Sequence, residues 1–311
     1  MKFKKPIFWD LKKPSLTSYL LLPFSIPVII NNFLLSKSKK KKFNIKSICI
    51  GNIYLGGTGK TQLSIEIEKI LKKLNYKTGF IKKYYKDQKD EQKLLKERSM
   101  LFCSKKRVKC IEQAQNEKID VVIFDDGLQD KNIKYDLTFV CFDLQNWIGN
   151  GLLIPAGPLR EKISSIKKYD AVFLNGMNKN LEEIKSLIET YNPLIKVFET
   201  KYEPKNIEKF NKDSKYVIFS GIGNPKGFIN ILQNNNINIV ETLEFPDHYN
   251  YTNNDINKIK NLANRMNAKI LTTKKDYMRL DRFDTETIEY LDIELSIPKK
   301  NELINFLKNK L

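Results

Sequence analysis

At 311 residues the chain is long enough for two domains of roughly 100–200 residues, each burying its own core. Its 55 Lys and Arg against 36 Asp and Glu give a formal charge of +19, which suits an acidic partner such as a phosphate-bearing surface, nucleic acid or substrate. A solvated surface fits as well, because Lys, Asn and Ile are abundant throughout. His248 is the single histidine, so a zinc site of several histidines is excluded, and the four cysteines form no C-x-x-C pair. Cys49, Cys103, Cys110 and Cys141 suit a reducing compartment, three of them as small core residues in apolar runs.

No charged residue lies between Lys13 and Lys37, and PSLTSYLLLPFSIPVIINNFLLS approaches the ~20 apolar residues that cross a bilayer. Pro23, Pro27, Asn31 and Asn32 make it a poor straight span. Positive charge on both flanks, Lys12 and Lys13 before it and Lys37–Lys42 after it, gives no orientation. A cleavable signal peptide lacks an evident small-residue cleavage site here. The expectation is a membrane-seated helix or hairpin over 1–36, with a helix packed on the protein as the alternative.

After the apolar run Ile45–Ile50 comes GNIYLGGTGKT, Gly51 to Thr61. Gly56, Gly57 and Gly59 free the backbone around Thr58 to turn its N–H groups inward, an anion-binding nest at a helix start. Lys60 adds a mobile cation, and Thr61 a hydroxyl suited to the Mg²⁺ of a bound ATP. Leu63, Ile67, Ile70, Leu71 and Leu74 form a helical stripe behind the loop. The strict phosphate-loop pattern asks for Gly where Tyr54 stands. GGTGKT also resembles the deviant loop of membrane-recruited partitioning ATPases, but Leu55 occupies the place of their signature Lys.

Apolar and amphipathic segments then alternate: KTGFI, a charged helix near Glu91–Phe102, RVKC, a short helix, DVVIF and DLTFVCF. AVFLN, KVFET, YVIFS and KILTT continue the rhythm. The expectation is an α/β fold, a P-loop NTPase-like parallel sheet flanked by helices over 37–200, with a smaller second α/β domain over 201–311. KYEPKN near residue 200 marks the boundary.

Four further stretches carry polar chemistry. DVVIFDDGLQD ends a strand in Asp125 and Asp126, where a nucleotide-bound metal is commonly held, although Asp-Asp-Gly is also a plain turn. NGLLIPAGPLRE fixes Arg160 on a rigid loop, suited to a phosphate or to a salt bridge with Glu161. FPDHYNYT puts Asp247 beside His248, a candidate general base for an alcohol. TTKKD, Thr272 to Asp276, follows a strand, and spacing gives it no role.

Together GNIYLGGTGKT, DDGLQ, IPAGPLRE, FPDHY and TTKKD, in this order, resemble the tetraacyldisaccharide 4′-kinases of lipid A synthesis over about residues 45 to 280. In that family a departure such as Tyr54, and an apolar N-terminal helix, are normal. The resemblance implies transfer of the ATP γ-phosphate to the 4′-hydroxyl of an acylated glucosamine disaccharide 1-phosphate at the cytoplasmic face of the inner membrane, with Mg²⁺ as cofactor. Membrane lipid is then an expected partner, with no nucleic acid and no obligate protein partner. The resemblance implies that Lys60 and Thr61 hold phosphates and metal, and that Asp90, in KDEQ, pairs with His248 as the base, with Asp87 as the fallback. Catalytic roles then fall to Asp90, His248, Lys60 and Arg160, and metal binding to Thr61, Asp125 and Asp126. The chain departs from the family pattern at Asp130 and Tyr249, both of which replace histidines. A partitioning-type ATPase and a basic membrane-binding module are the competing readings.

Overall fold

The computed structural model describes residues 5–86, 88–130 and 132–311. In chain order the elements are α1 (Leu16–Leu21), α2 (Ile26–Lys37), β1 (Lys46–Gly51), α3 (Lys60–Lys73), β2 (Thr78–Lys83), α4 (Lys89–Lys96), β3 (Met100–Ser104) and α5 (Arg107–Asn116). Then come β4 (Val121–Asp125), β5 (Leu137–Asp143), β6 (Ala171–Asn175), α6 (Leu181–Tyr191), β7 (Lys196–Pro204), β8 (Lys215–Ser220), α7 (Pro225–Asn234) and β9 (Asn238–Glu244). The chain ends through α8 (Asn253–Arg265), β10 (Lys269–Thr273), α9 (Lys274–Tyr277), β11 (Ile288–Leu291), β12 (Ile293–Ser296) and α10 (Lys300–Lys310).

Two compact units are present. The larger comprises Lys5–Tyr84, Arg98–Lys201 and Leu295–Leu311; the smaller comprises Tyr85–Glu97 and Tyr202–Glu294. The first sheet runs β12-β7-β6-β5-β1-β4-β2-β3 and the second β11-β10-β8-β9. Parallel pairing buries both faces, which is why β1, β4, β5 and β6 are nearly continuous apolar runs. Leu63, Ile67, Ile70 and Leu71 of α3 are buried at helical spacing, so the predicted stripe is the packed face. In the smaller unit α8 starts on a capping box, with the Thr252 hydroxyl and the Asp255 carboxylate each accepting from the other's backbone N–H.

The position of β1 decides what the larger unit can do. It lies between β5 and β4, and Ile50 pairs in register with Asp125. The turn leaving β1 and the carboxylates ending β4 therefore share the carboxyl edge of the sheet, where open α/β folds bind ligands.

The structure differs from the sequence reading in three places. The helix expected near Glu91–Phe102 ends at Lys96, and Met100–Ser104 is the strand, because Met-Leu-Phe-Cys is the β-prone run. RVKC opens α5 instead of forming a strand, its cysteine and the following Ile111 lying on the buried face. Compared with a partition into 37–200 and 201–311, Tyr85–Glu97 belongs with the later segment and Leu295–Leu311 with the earlier one. The N-terminal helix likewise belongs to the larger unit. Asp87 lies outside the described residues.

Candidate active site

The phosphate loop is held by the chain it leaves. Asn52, fully buried, donates from Nδ2 to the Gly56 carbonyl (3.1 Å) and to the Thr58 hydroxyl (3.0 Å). Gly59 takes φ 89°, a left-handed conformation that costs glycine little, and α3 starts directly after it without a side-chain cap. An uncapped N-terminus behind a glycine nest is the arrangement that receives a phosphate. Tyr54, in place of the patterned glycine, is buried under the loop, and its hydroxyl donates to Asp10 Oδ1 (2.7 Å). A side chain at Gly56 would meet that ring at 3.2 Å.

Arg160 reaches this edge because its loop is strapped to the same turn. The Arg160 N–H donates to the Ile53 carbonyl (2.7 Å) and the Leu55 N–H to the Pro158 carbonyl (2.8 Å). Arg160 Nη1 pairs with Asp126 Oδ1 at 3.1 Å and bonds Gln129 Oε1 at 3.3 Å. Glu161, the salt-bridge partner suggested by adjacency, instead accepts from Gln129 Nε2 (2.8 Å) and the Tyr169 hydroxyl (3.0 Å).

Asp125 and Asp126 have different surroundings. Asp125 is fully buried: its Oδ2 takes the Lys82 ammonium at 2.5 Å and the Thr61 hydroxyl at 3.2 Å, while Oδ1 has no hydrogen-bond partner. Asp126 is mostly buried at φ 61°, a left-handed conformation that Asp adopts more readily than most side chains. Burial pushes its carboxyl up, but Lys60, Arg160, Lys82 and Arg107 outweigh that and hold it below the usual range. Arg107 also bonds the Asp126 carbonyl and pairs with Asp130 at 3.2 Å.

These residues fit Mg²⁺ on a nucleotide. The buried, unpartnered Oδ1 of Asp125 beside the Thr61 hydroxyl is a donor set that a hydrated cation completes. Among the described residues no group of three or more His, Cys, Asp or Glu is arranged to hold an ion. Mg²⁺ needs none, since it keeps waters and takes phosphate oxygens.

The smaller unit carries a second cluster. Asp90, on α4 and 1% exposed at its side chain, lies 3.1 Å from His248 Nδ1, 2.6 Å from Arg279 Nη2 and 3.6 Å from the Lys275 ammonium. Its burial works against ionisation, but the His248 bond, Lys275 and Arg279 hold it well below the usual carboxylate range. An ionised Asp90 accepts from Nδ1–H, which makes Nε2 the acceptor; Lys275, which can only donate, is 3.5 Å from it. Glu91, 3.6 Å from Nε2, pairs with Lys275 at 3.1 Å.

His248 sits at φ 56°, its N–H bonded to the Gly221 carbonyl (3.1 Å) and to Asp247 Oδ1 (3.0 Å). Asp247 therefore bonds the backbone of His248, while Asp90 takes its Nδ1. Beneath them Asp276, fully buried, accepts from the Gly221 N–H, the Tyr251 hydroxyl and Arg279. Burial keeps its carboxyl above the usual value in spite of those donors. Tyr249 packs among Phe245 and Tyr251 and bonds Asp255.

The N-terminal helix is inverted relative to a soluble one. Ser18, Ser25 and Asn32, at intervals of seven, face the protein: Ser18 accepts from Asn150 (3.0 Å), Ser25 donates to the Leu153 carbonyl (3.1 Å) and Asn32 to the Arg160 carbonyl (2.8 Å). Leu16, Leu20, Phe24, Ile30, Phe33 and Leu34 are exposed, Phe24 by 66%. Residues Leu16–Lys37 are long and apolar enough to cross a membrane. A 3₁₀ turn over Leu22–Ser25, holding Pro23, divides the helix.

Of the residues singled out in the sequence, the larger unit brings together the loop, Thr61, Asp125, Asp126 and Arg160, and the smaller joins Asp90 to His248. Lys82, Arg107, Gln129, Lys275 and Arg279 had no assigned role. Arg279, three residues after Asp276, lies past the end of α9 and pairs with that carboxylate at 2.8 Å.

The family model for LpxK, tetraacyldisaccharide-1-P 4′-kinase, matches residues 18–311. A tetraacyldisaccharide 4′-kinase of Pelagibacter ubique is 51% identical over 307 residues, covering 99% of this chain and 98% of the relative. One of Rickettsia typhi is 36% identical over 316 residues, covering 96% and 95%. The crystal structure of LpxK from Aquifex aeolicus in complex with ATP aligns with a TM-score of 0.70 at 23% identity, covering 94% of this chain and 98% of that one. That likeness establishes the fold.

Proposed function

We propose, from the premise that the chain belongs to the tetraacyldisaccharide-1-P 4′-kinase family, how its residues divide that reaction. The protein is an ATP-dependent lipid kinase of lipid A biosynthesis, transferring the γ-phosphoryl group to the 4′-hydroxyl of tetraacyldisaccharide 1-phosphate. Gly56, Gly57, Thr58 and Gly59 hold the phosphates through backbone N–H groups, and Lys60 follows the charge of the transferred group. Thr61 and Asp125 would hold Mg²⁺, with Asp126 completing that acidic edge, and the ion would supply neutralisation of phosphate charge. Arg160, released from Asp126 or sharing it, supplies a further cation to phosphate oxygens.

The observation that carries the acceptor half is the Asp90–His248 pair at 3.1 Å. The buried, ionised carboxylate fixes the Nδ1–H tautomer and supports the imidazolium that forms when Nε2 takes the hydroxyl proton. Positioning and charge stabilisation supply the rest of the rate. The exposed apolar face of α1 and α2 seats the protein on the inner membrane from its cytoplasmic side, where a lipid acceptor resides, and the Lys37–Lys42 run meets anionic headgroups.

The experiment is transfer of label from γ-labelled ATP to acylated disaccharide 1-phosphate in membranes containing the protein. A doubly phosphorylated lipid is the expected product. ATP turnover without labelled lipid would overturn this reading in favour of the partitioning-type ATPase, which the family match across both units does not favour.

A further inference from the structure

Lys82, the penultimate residue of β2, lies in register with Asp125, and the two form an ion pair at 2.5 Å with side chains 3% and 0% exposed. A buried ammonium is held only where a carboxylate compensates it. The same carboxylate supports the Thr61 hydroxyl on one oxygen and offers a buried, unpartnered oxygen on the other. Around the neighbouring Asp126 the charges are Lys60, Lys82, Arg107 and Arg160, four cations facing Asp125, Asp126 and Asp130. Such an edge attracts a polyanion and repels a lone divalent cation.

We propose that Lys82 is the built-in counter-ion of Asp125, a positioning residue that makes divalent-cation binding conditional on the nucleotide. With Lys82 in place Asp125 is neutralised by the chain, so it orients Thr61 and accepts from the water shell of a cation that the phosphates bring. Without Lys82 the buried carboxylate is uncompensated and captures a divalent cation by itself. This rests on reading Asp125 and Thr61 as the metal edge of the nucleotide site.

The test measures protein-bound Mn²⁺ by equilibrium gel filtration, with and without a non-hydrolysable ATP analogue. It uses the full chain, Lys82→Met, and Lys82→Met with Asp125→Asn. The full chain should retain Mn²⁺ only with the nucleotide. Lys82→Met should retain it without nucleotide, its dissociation constant lowered about tenfold or more, and the double variant should lose that gain. Equal Mn²⁺ binding by the full chain in both conditions would overturn the proposal, and this arm stands even if Lys82→Met fails to fold. So would a Lys82→Met protein that binds the nucleotide normally and gains no cation site. A full chain that retains no Mn²⁺ even with nucleotide would overturn the nucleotide-site reading itself, and the proposal with it.

Discussion

The Gly51–Thr61 loop and the Asp90–His248 pair are built in opposite ways. The loop is contiguous, and its chemistry comes from backbone N–H groups that glycine and a helix start dispose, with Asn52 bracing it from inside the same turn. The pair joins residues 158 apart in sequence and depends on side chains, with Arg279 and Lys275 on Asp90 and Asp276 beneath. A backbone cradle tolerates change in the side chains around it. A side-chain cluster held by buried charges fails when one member is removed.

That contrast sets the expected effects. Lys60→Ala should remove nucleotide binding and lower transfer by about 10³-fold or more, measured by titration and by labelled-lipid formation. Near-normal transfer in this variant would break the assignment of the loop. Asp90→Asn removes one of the two carboxylates that hold Arg279 and leaves Asp276, so it should cost about 1–3 kcal/mol in urea unfolding and slow transfer by about 10²-fold, leaving nucleotide affinity unchanged.

Smaller effects concern the helix and the pH response. Replacing Leu20, Phe24, Ile30 and Phe33 with Ser should move the protein from the membrane pellet to the supernatant with little change in thermal midpoint, because these side chains are already exposed. Unchanged sedimentation would point to another lipid-binding surface. Asp90 has a depressed folded pKa, so its ion pairs stabilise fully above the unfolded value of about 4 and are lost as pH falls through the folded value. The stability gap between the protein and Asp90→Asn should therefore hold down to about pH 4 and close below it. A gap that closes nearer neutrality would mean that Asp90 is not held ionised.

What the sequence made legible follows the same division. The loop, β1, α3 and the Asp125–Asp126 strand end could be read because each signal is local: glycines, an apolar stripe, carboxylates after a β-run. Tyr54 looked like a defect in the pattern, and its burial beneath Gly56 is visible only in three dimensions. Lys82 was hidden in a Lys-Lys pair ending a strand, where one lysine in a basic chain carries no signal. Arg107 fell in RVKC, which was read as one of the apolar runs between helices, whereas the preceding MLFCS run takes the sheet position. Lys275 belonged to a stretch noted without a role, and what defines it is Asp90 on a distant helix. Asp90 itself followed from family resemblance, since nothing in KDEQ marks a buried carboxylate.

The central claim is that nucleotide capture and acceptor activation reside in separate residue sets. The most direct test is His248→Ala, with ATP affinity and single-turnover transfer to the acylated disaccharide 1-phosphate measured on the same preparation. The account predicts transfer slowed by about 10²–10⁴-fold with nucleotide affinity unchanged. Undiminished transfer, or a parallel loss of ATP binding, would contradict it.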